Sequence, residues 1–543
     1  MTLPSVCITG TSLVNHCNRA TINSVYNTAQ SWVSWAQKFC GYRFECAVWR
    51  DPTFIPGWEP GGIPNEPRYF YGHNAGVSGQ TVDQILARKY AIASIDADYH
   101  VVDMGTNDIQ TKTVLEIHNA RVAMTEYLIS MGRKPILLTI LSRALSSWPA
   151  GEARQKALEV NRLTQEVYGH DPRVVVYDWN QGWLDENSAN GEPKTGASGD
   201  GIHFDGHGAY WVGKSMASLF TQLFPPAPSL YRGPDDAYDA DFNEYGNVLL
   251  NPVLAGVAGD NTGTTGDVAD GFEFEARNTP DAVGVASKEA GAQVLTITPI
   301  DTAGTSEFYY RTADADYAVP HAGLWMRAGV EIEVVSGADR ISGLKMHFQV
   351  NGTSTVYSAD GYQIGSNIAP ENFGPVLYVT PFVKLNDDTT ACRWRIEIVV
   401  SNAGTDPIVI KIRKPFARLE RDPRNTYGIC SPGSIAGVES AKVLSDGNIE
   451  LTFNGVYSAG TGGTEGFYLK TKSGDVAMRP YTQIPATKVR FAPDRRIEKG
   501  EWVIGRYDQP GNGFKDQNGD DFLNTEFAVD NQSTVSERVT YRA

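Results

Sequence analysis

Over residues 1–225, short apolar runs alternate with longer amphipathic stretches. Val6-Cys7-Ile8, Val101-Val102, Pro135-Ile136-Leu137-Leu138-Thr139-Ile140 and Val174-Val175-Val176-Tyr177 leave almost no polar face for water. Runs of this kind are strands covered on both sides. Between them, Ile22, Val25, Tyr26, Ala29, Trp32, Val33, Ala36 and Phe39 recur at the spacing of one helical face, as do Ala157, Val160, Leu163, Thr164 and Val167. Further helical stretches are read from Gly105 through Leu128 and from His207 to Phe224. Strand and helix in alternation predict a parallel α/β sheet flanked by helices.

The texture changes after Phe224. Pro225-Pro226-Ala227-Pro228 opens a linker, taken as 226–249, and helical periodicity is gone from about residue 250. Trp394, Ile396 and Ile398 alternate with Arg393, Arg395 and Glu397, the period of two expected of a half-buried strand. Residues 250–422 are read as a β-sandwich, jelly-roll-like and carbohydrate-binding. Beyond the break at Arg421-Asp422-Pro423-Arg424-Asn425, Ile449, Leu451 and Phe453 alternate with Glu450 and Thr452 after the turn Ser445-Asp446-Gly447-Asn448. Residues 423–543 are therefore read as a second, Ig-like sandwich. The fold class expected is multidomain: one α/β domain followed by two all-β sandwich domains, each folding for itself.

Composition narrows the function. A net charge of −16 over 543 residues disfavours nucleic acid and anionic membranes as partners. No apolar run reaches the ~20 residues needed to span a bilayer. Six cysteines, four of them within the first 46 residues and without a zinc spacing, are read as buried free thiols. Met1-Thr2-Leu3-Pro4 lacks the basic and apolar segments of a secretory leader. The location expected is a virion, as a phage tail protein, or the extracellular space.

Four short blocks carry the chemistry. Ile8-Thr9-Gly10-Thr11-Ser12-Leu13 sets a serine just past the first strand, and Gly105-Thr106-Asn107-Asp108 follows another strand. Asn74-Ala75-Gly76-Val77-Ser78-Gly79 comes after an aromatic loop, and Asp200-Gly201-Ile202-His203 precedes the last helix. Ligands of open parallel sheets bind outside the carboxyl ends of the strands. A serine hydroxyl needs a base, the base needs an orienting group, and an acyl oxyanion needs fixed donors. His203, Asp200, the N–H groups of Ser12 and Gly76, and the Asn107 amide are of the right types.

In this order the blocks resemble the SGNH (GDSL-like) hydrolase family. The resemblance covers residues 1–225 and implies a flavodoxin-like three-layer fold. It implies Ser12 as nucleophile, His203 as base, Asp200 as its orienter, and Ser12, Gly76 and Asn107 as the oxyanion hole, with no cofactor and no metal. One position departs from the pattern. The family has aspartate before the serine where this chain has Thr11.

Each residue taken singly has a plainer reading: Ser12 as a helix cap, Asn107 as a structural amide. Their co-occurrence in sequence order favours the hydrolase site. A metal reading of His203 and His207 with Asp205 lacks a third ligand of suitable spacing, and a phosphate loop at Gly76 and Gly79 lacks a following lysine. Asp516, Asn518 and Asp520 begin like a calcium loop, but Asp521 and Phe527 break the pattern. Tyr309, Tyr310, Trp325 and Trp394 are candidate sugar platforms with core packing as the favoured alternative. Two loops, Asp51 to Gly72 and Gly182 to Gly199, are expected to shape access.

The function expected is a serine esterase removing O-acetyl groups from a polysaccharide, in the setting of a phage tailspike or fibre, as a homotrimer or attached to the virion. A secreted carbohydrate or lipid esterase with accessory modules is the second reading. An inactive glycan-binding protein, suggested only by Thr11, is the third.

Overall fold

The computed structural model describes residues 3–18, 28–46, 49–50, 73–87, 89–95, 97–148, 151–226, 230–239, 241–277, 281–300, 304–312, 324–351, 356–361, 368–385 and 391–421. In the C-terminal part it describes 438–444, 448–459, 467–471, 474–480, 486–493, 503–507, 514–515, 525–528 and 530–531. The Asp51–Gly72 loop, the turn at residues 445–447 and the would-be calcium loop from Asp516 to Asp520 lie outside the described residues.

Five parallel strands form the first sheet: β1 (Val6–Gly10), β2 (Asn74–Gly76), β3 (Tyr99–Val102), β4 (Lys134–Leu138) and β5 (Val175–Tyr177). Their order is β2-β1-β3-β4-β5. This is the doubly wound arrangement with its switch point beside β1. The helices are α1 (Ser12–Asn15), α2 (Trp32–Phe39), α3 (Val82–Ala87), α4 (Lys89–Ser94), α5 (Val114–Ser130), α6 (Glu152–Tyr168), α7 (Asn180–Trp183) and α8 (Gly206–Leu223).

The sequence makes the sheet two-faced because successive side chains of a strand point to opposite sides. Val6 and Ile8 pack with Trp32, Trp35 and Ala36 of α2 and with Val212, Met216 and Phe220 of α8. Cys7, Val102 and Leu137 pack on the other face with Val82, Ile117, Met124, Leu128 and Val160. Local signals set the helix ends. Thr113 and Glu116 close a reciprocal capping box at the start of α5, which satisfies two backbone donors that lack intrahelical partners.

The β-rich remainder holds three more sheets. Seven strands of an eight-stranded sheet and all of a six-stranded sheet face each other between residues 258 and 420, the eighth strand being Trp49–Arg50, and a nine-stranded sheet is built from strands of residues 438–531. Between the first two, Phe272, Phe274, Phe308, Tyr310 and Trp394 meet Leu295, Ile297, Ile332, Ile410 and Ile412. Tyr310, Trp325 and Trp394 are thus core residues. Tyr309 points to the opposite face, where the guanidinium groups of Arg277 and Arg395 lie 5.1 and 4.4 Å from its ring centre. The five described cysteines, Cys7, Cys17, Cys40, Cys46 and Cys392, are buried and form no disulfide among the described residues.

The α/β part and the first sandwich pack closely against one another. Their apolar cores form one continuous cluster, and the short strand Trp49–Arg50 extends the eight-stranded sheet beside Phe382–Lys384. Trp35 of α2 meets Phe373 and Tyr378 edge-on. Lys38 forms a buried ion pair with Asp360 at 2.7 Å, and Asp360 also accepts from Thr28, Ser34 and the Val379 N–H. Glu45 pairs with Arg327 at 2.8 Å, again buried. A cavity of about 40 Å³ lies between these two pairs, lined by Thr28, Ser34, Gln37, Glu45, Asp360 and Thr380. Sequence periodicity had no access to the contacts between the two parts, because each of those joins residues about 280 or more positions apart.

Candidate active site

Ser12 is the first residue of α1, at the carboxyl end of β1 and the switch point of the sheet. Its N–H belongs to the first helical turn, where no carbonyl lies four residues back. Thr11 caps that helix: its hydroxyl accepts from the Leu13 N–H at 3.4 Å and donates to Asp103 Oδ2 at 2.6 Å. The Thr11 N–H reaches the same carboxylate oxygen at 3.3 Å. The carboxylate that braces the loop therefore comes from residue 103, at the end of β3, and Thr11 supplies the hydroxyl that meets it. Burial pushes the Asp103 carboxyl up, against the two Thr11 bonds and the nearby positive charges of Arg121 and Arg143.

This arrangement inverts the expectation about Thr11. Thr11→Asp would place an aspartate before Ser12, and so set a second buried carboxylate against Asp103. The variant is expected to lose at least ~2 kcal/mol of stability at pH 8, well above the usual carboxylate range. At pH 5 the deficit shrinks, because one carboxyl takes a proton and donates it to the other. Denaturant unfolding at the two pH values measures this, and a Thr11→Asp protein as stable as the parent at pH 8 contradicts it.

His203 reaches Ser12 from the loop before α8. Its Nε2 lies 2.8 Å from Ser12 Oγ, and its Nδ1 lies 2.6 Å from Asp200 Oδ2. Asp200 also organises the turn, accepting on Oδ1 from the N–H groups of Ile202 and His203, both at 2.8 Å. Partial burial works to raise the Asp200 carboxyl, but hydrogen bonds from the His203 N–H, the His203 ring and the Ile202 N–H overcome it. The group is held well below the usual carboxylate range. An ionised carboxylate only accepts, so Nδ1 carries the hydrogen and Nε2 faces the Ser12 hydroxyl as an acceptor. Gly201 permits the turn: its φ is +74°, and a Cβ there would stand 2.6 Å from the Cβ of Ala144.

The second block contributes differently from the reading of the sequence. The Gly76 N–H donates to Asn74 Oδ1 at 2.8 Å, and a Cβ at Gly76 would meet Asn15 N at 2.5 Å. Gly76 is thus a packing position under α1, and its N–H is already committed. Three residues on, Gly79 is exposed, adopts φ +76° and has open space beside its Cα. Among the described residues no acceptor meets its N–H. The glycine-rich spacing of the block flags both residues, and only the hydrogen bonding separates them.

Asn107 lies next to this turn. Its Nδ2 donates to Gln80 O at 3.0 Å, and its Oδ1 accepts from Arg143 Nη2 at 2.9 Å. Asp108, behind it, accepts the Val82 N–H at 3.0 Å and so ties the block to the start of α3. Burial pushes the Asp108 carboxyl up to about 6, although the Val82 N–H and Lys112 pull the other way.

Three more residues belong to the neighbourhood without having been singled out from the sequence: Asp103, Arg143 and His16. The His16 ring centre lies 4.8 Å from that of His203. Its place one helical turn after Ser12 was the available signal. His207 packs against Trp211 instead, and among the described residues no three His, Cys, Asp or Glu side chains converge as a metal site would require.

No protein-family model matches the chain, and no curated protein matches it. Solved structures similar to it include a GDSL-like lipase from Bacteroides thetaiotaomicron, with 18% identity and a TM-score of 0.27 over 40% of this chain and 88% of that one. A carbohydrate esterase family 3 protein from Talaromyces cellulolyticus has 14% identity and a TM-score of 0.28 over 41% of this chain and 98% of that one. A catalytic mutant of an acetylxylan esterase from Geobacillus stearothermophilus has 12% identity and a TM-score of 0.28 over 42% of this chain and 98% of that one. Identities and scores this low leave the chemistry to the geometry of the site.

Proposed function

We propose that the chain is a serine esterase of the SGNH type, with Ser12, His203 and Asp200 as its triad. The observation that carries this is the unbroken relay from Ser12 Oγ through His203 to Asp200, at 2.8 and 2.6 Å. In the reaction, Ser12 Oγ attacks the ester carbonyl as its proton passes to His203 Nε2. The imidazolium so formed is held by the Asp200 carboxylate. The tetrahedral oxyanion is met by the N–H groups of Ser12 and Gly79 and by the Asn107 side-chain amide, with Gly79 taking the role first read for Gly76. His203 returns its proton to the departing alcohol. Water then attacks the acyl-enzyme by the same route and frees the acid.

The substrate proposed is an O-acetylated polysaccharide. Support comes from the openness of the site: the Asp200 and His203 side chains are 53% and 32% exposed. A polymer-borne ester can reach such groups without entering a tunnel. The sandwich domains are proposed to engage the polysaccharide, and a homotrimeric or virion-attached setting belongs to the same proposal. Among the described residues no helix is long and apolar enough to cross a membrane. The third reading, an inactive binder, loses its motive because Thr11 and Asp103 together brace the nucleophile loop. Labelling with a fluorophosphonate probe and acetate release from a panel of acetylated polysaccharides test the proposal. Covalent labelling at Ser12 with acetate release is expected. A protein that neither labels nor releases acetate from any ester would be a binder.

A further inference from the structure

Arg143 forms three hydrogen bonds to the dipeptide Thr106-Asn107. Its Nε donates to Thr106 Oγ1 at 3.1 Å, and its Nη2 donates to Thr106 O at 3.0 Å and Asn107 Oδ1 at 2.9 Å. The guanidinium lies 5.2 Å from the Trp148 ring centre, and its own backbone carbonyl is held by Arg154 Nη2 at 2.8 Å. The side chain is clamped on its edge, on its face and at its root.

A guanidinium has five donors and no acceptor. The end of the Asn107 amide that faces it must therefore be the oxygen, which turns Nδ2 to the other side. There the Gln80 carbonyl takes one of the two Nδ2 hydrogens, and the second is left with a fixed direction. Hydrogen bonds in series polarise one another, so a cation on Oδ1 also makes the Nδ2–H a stronger donor. Burial works against the positive charge, and Asp103 and Asp200 are near enough to offset part of that. These are the carboxylates that brace the nucleophile loop and orient the base.

Resting on the esterase reading, we propose that Arg143 is a positioning residue. It sets the roll and polarity of the Asn107 amide, and so the strength of one oxyanion donor, without touching substrate. The sequence gives no hint of this, since Arg143 stands 36 residues from Asn107 in an irregular segment after β4.

A double-mutant cycle on kcat and KM for an aryl acetate tests it, with thermal unfolding as the folding control. Asn107→Ala is expected to lower kcat by ~10²-fold. Arg143→Gln, which keeps hydrogen-bonding capacity and loses the cation and the fork, is expected to lower kcat by ~10-fold or more with KM nearly unchanged. The double variant is expected to be no slower than Asn107→Ala alone, because Arg143 acts through that amide. Losses that multiply, or an Arg143→Gln defect confined to KM, overturn the proposal and leave the triad untouched. Full activity in Ser12→Ala instead removes the esterase reading itself. Should Arg143→Gln unfold below assay temperature, the cycle is run with Arg143→Lys. That variant keeps the charge without the two-toothed fork, and the same non-additivity is expected at a smaller kcat loss. Additive losses there overturn the proposal equally.

Discussion

Ser12→Ala is expected to lower hydrolysis of a small ester by at least ~10³-fold, and His203→Ala by a similar factor. The two changes together should cost little more than either alone, because the hydroxyl is nucleophilic only while Nε2 can take its proton. The structure supplies that contact at 2.8 Å. Asp200→Asn should cost the same or less. An amide could accept or donate at Nδ1, and the imidazole would lose its preference for the tautomer that leaves Nε2 free. The variants should unfold at nearly the parental temperature, since among the described residues the Ser12 and His203 side chains make no hydrogen bond outside the relay. Steady-state rates, with fluorophosphonate labelling as a check on the nucleophile, read the result. Parental turnover in Ser12→Ala would end the proposed mechanism.

Cutting the chain after Pro225 is expected to give a fragment that does not fold in conditions where the full chain does. The cut leaves Lys38 and Glu45 without Asp360 and Arg327, and it bares the apolar surface of α2 that Phe373 and Tyr378 cover. Burial already works to lower the Lys38 ammonium, and Asp360 offsets it. Without Asp360 that ammonium must be hydrated or lose its proton. Removing one partner of a buried pair typically costs about 3–5 kcal/mol, a large part of the total stability of an ordinary domain. The same logic holds in the intact chain. Asp360→Ala should destabilise by at least that amount, and the paired change Lys38→Met with Asp360→Leu should recover only the part due to the unpaired ammonium, because Thr28, Ser34 and the Val379 N–H still lose their acceptor. Denaturant unfolding of the full-length variants and solubility of the fragment measure these effects. A soluble fragment cleaving aryl acetates within a few-fold of the full chain would show that the two parts are independent.

Periodicity along the chain was enough to read four of the five parallel strands and the longer helices between them, but not the three-residue edge strand Asn74–Gly76. A strand covered on both faces must be apolar at successive positions, and an amphipathic helix must repeat every three to four residues. Those constraints act between near neighbours and can be read in order from Val6 to Phe224. That Ser12, His203 and Asp200 come together was legible too, because Ser12 sits at the end of a strand and Asp200 and His203 share one turn. Tertiary structure alone decided matters of hydrogen-bond partnership across long separations. Gly76 and Gly79 look alike in the sequence, and they differ because Asn74 has already taken one N–H and the fold leaves the other open. Thr11 looks like a departure until Asp103, 92 residues later, is brought against its hydroxyl. Lys38 and Asp360, 322 residues apart, read as surface charges until packing buries them together. A buried polar group must find its partner wherever the chain's packing puts one, and no local pattern records where that is.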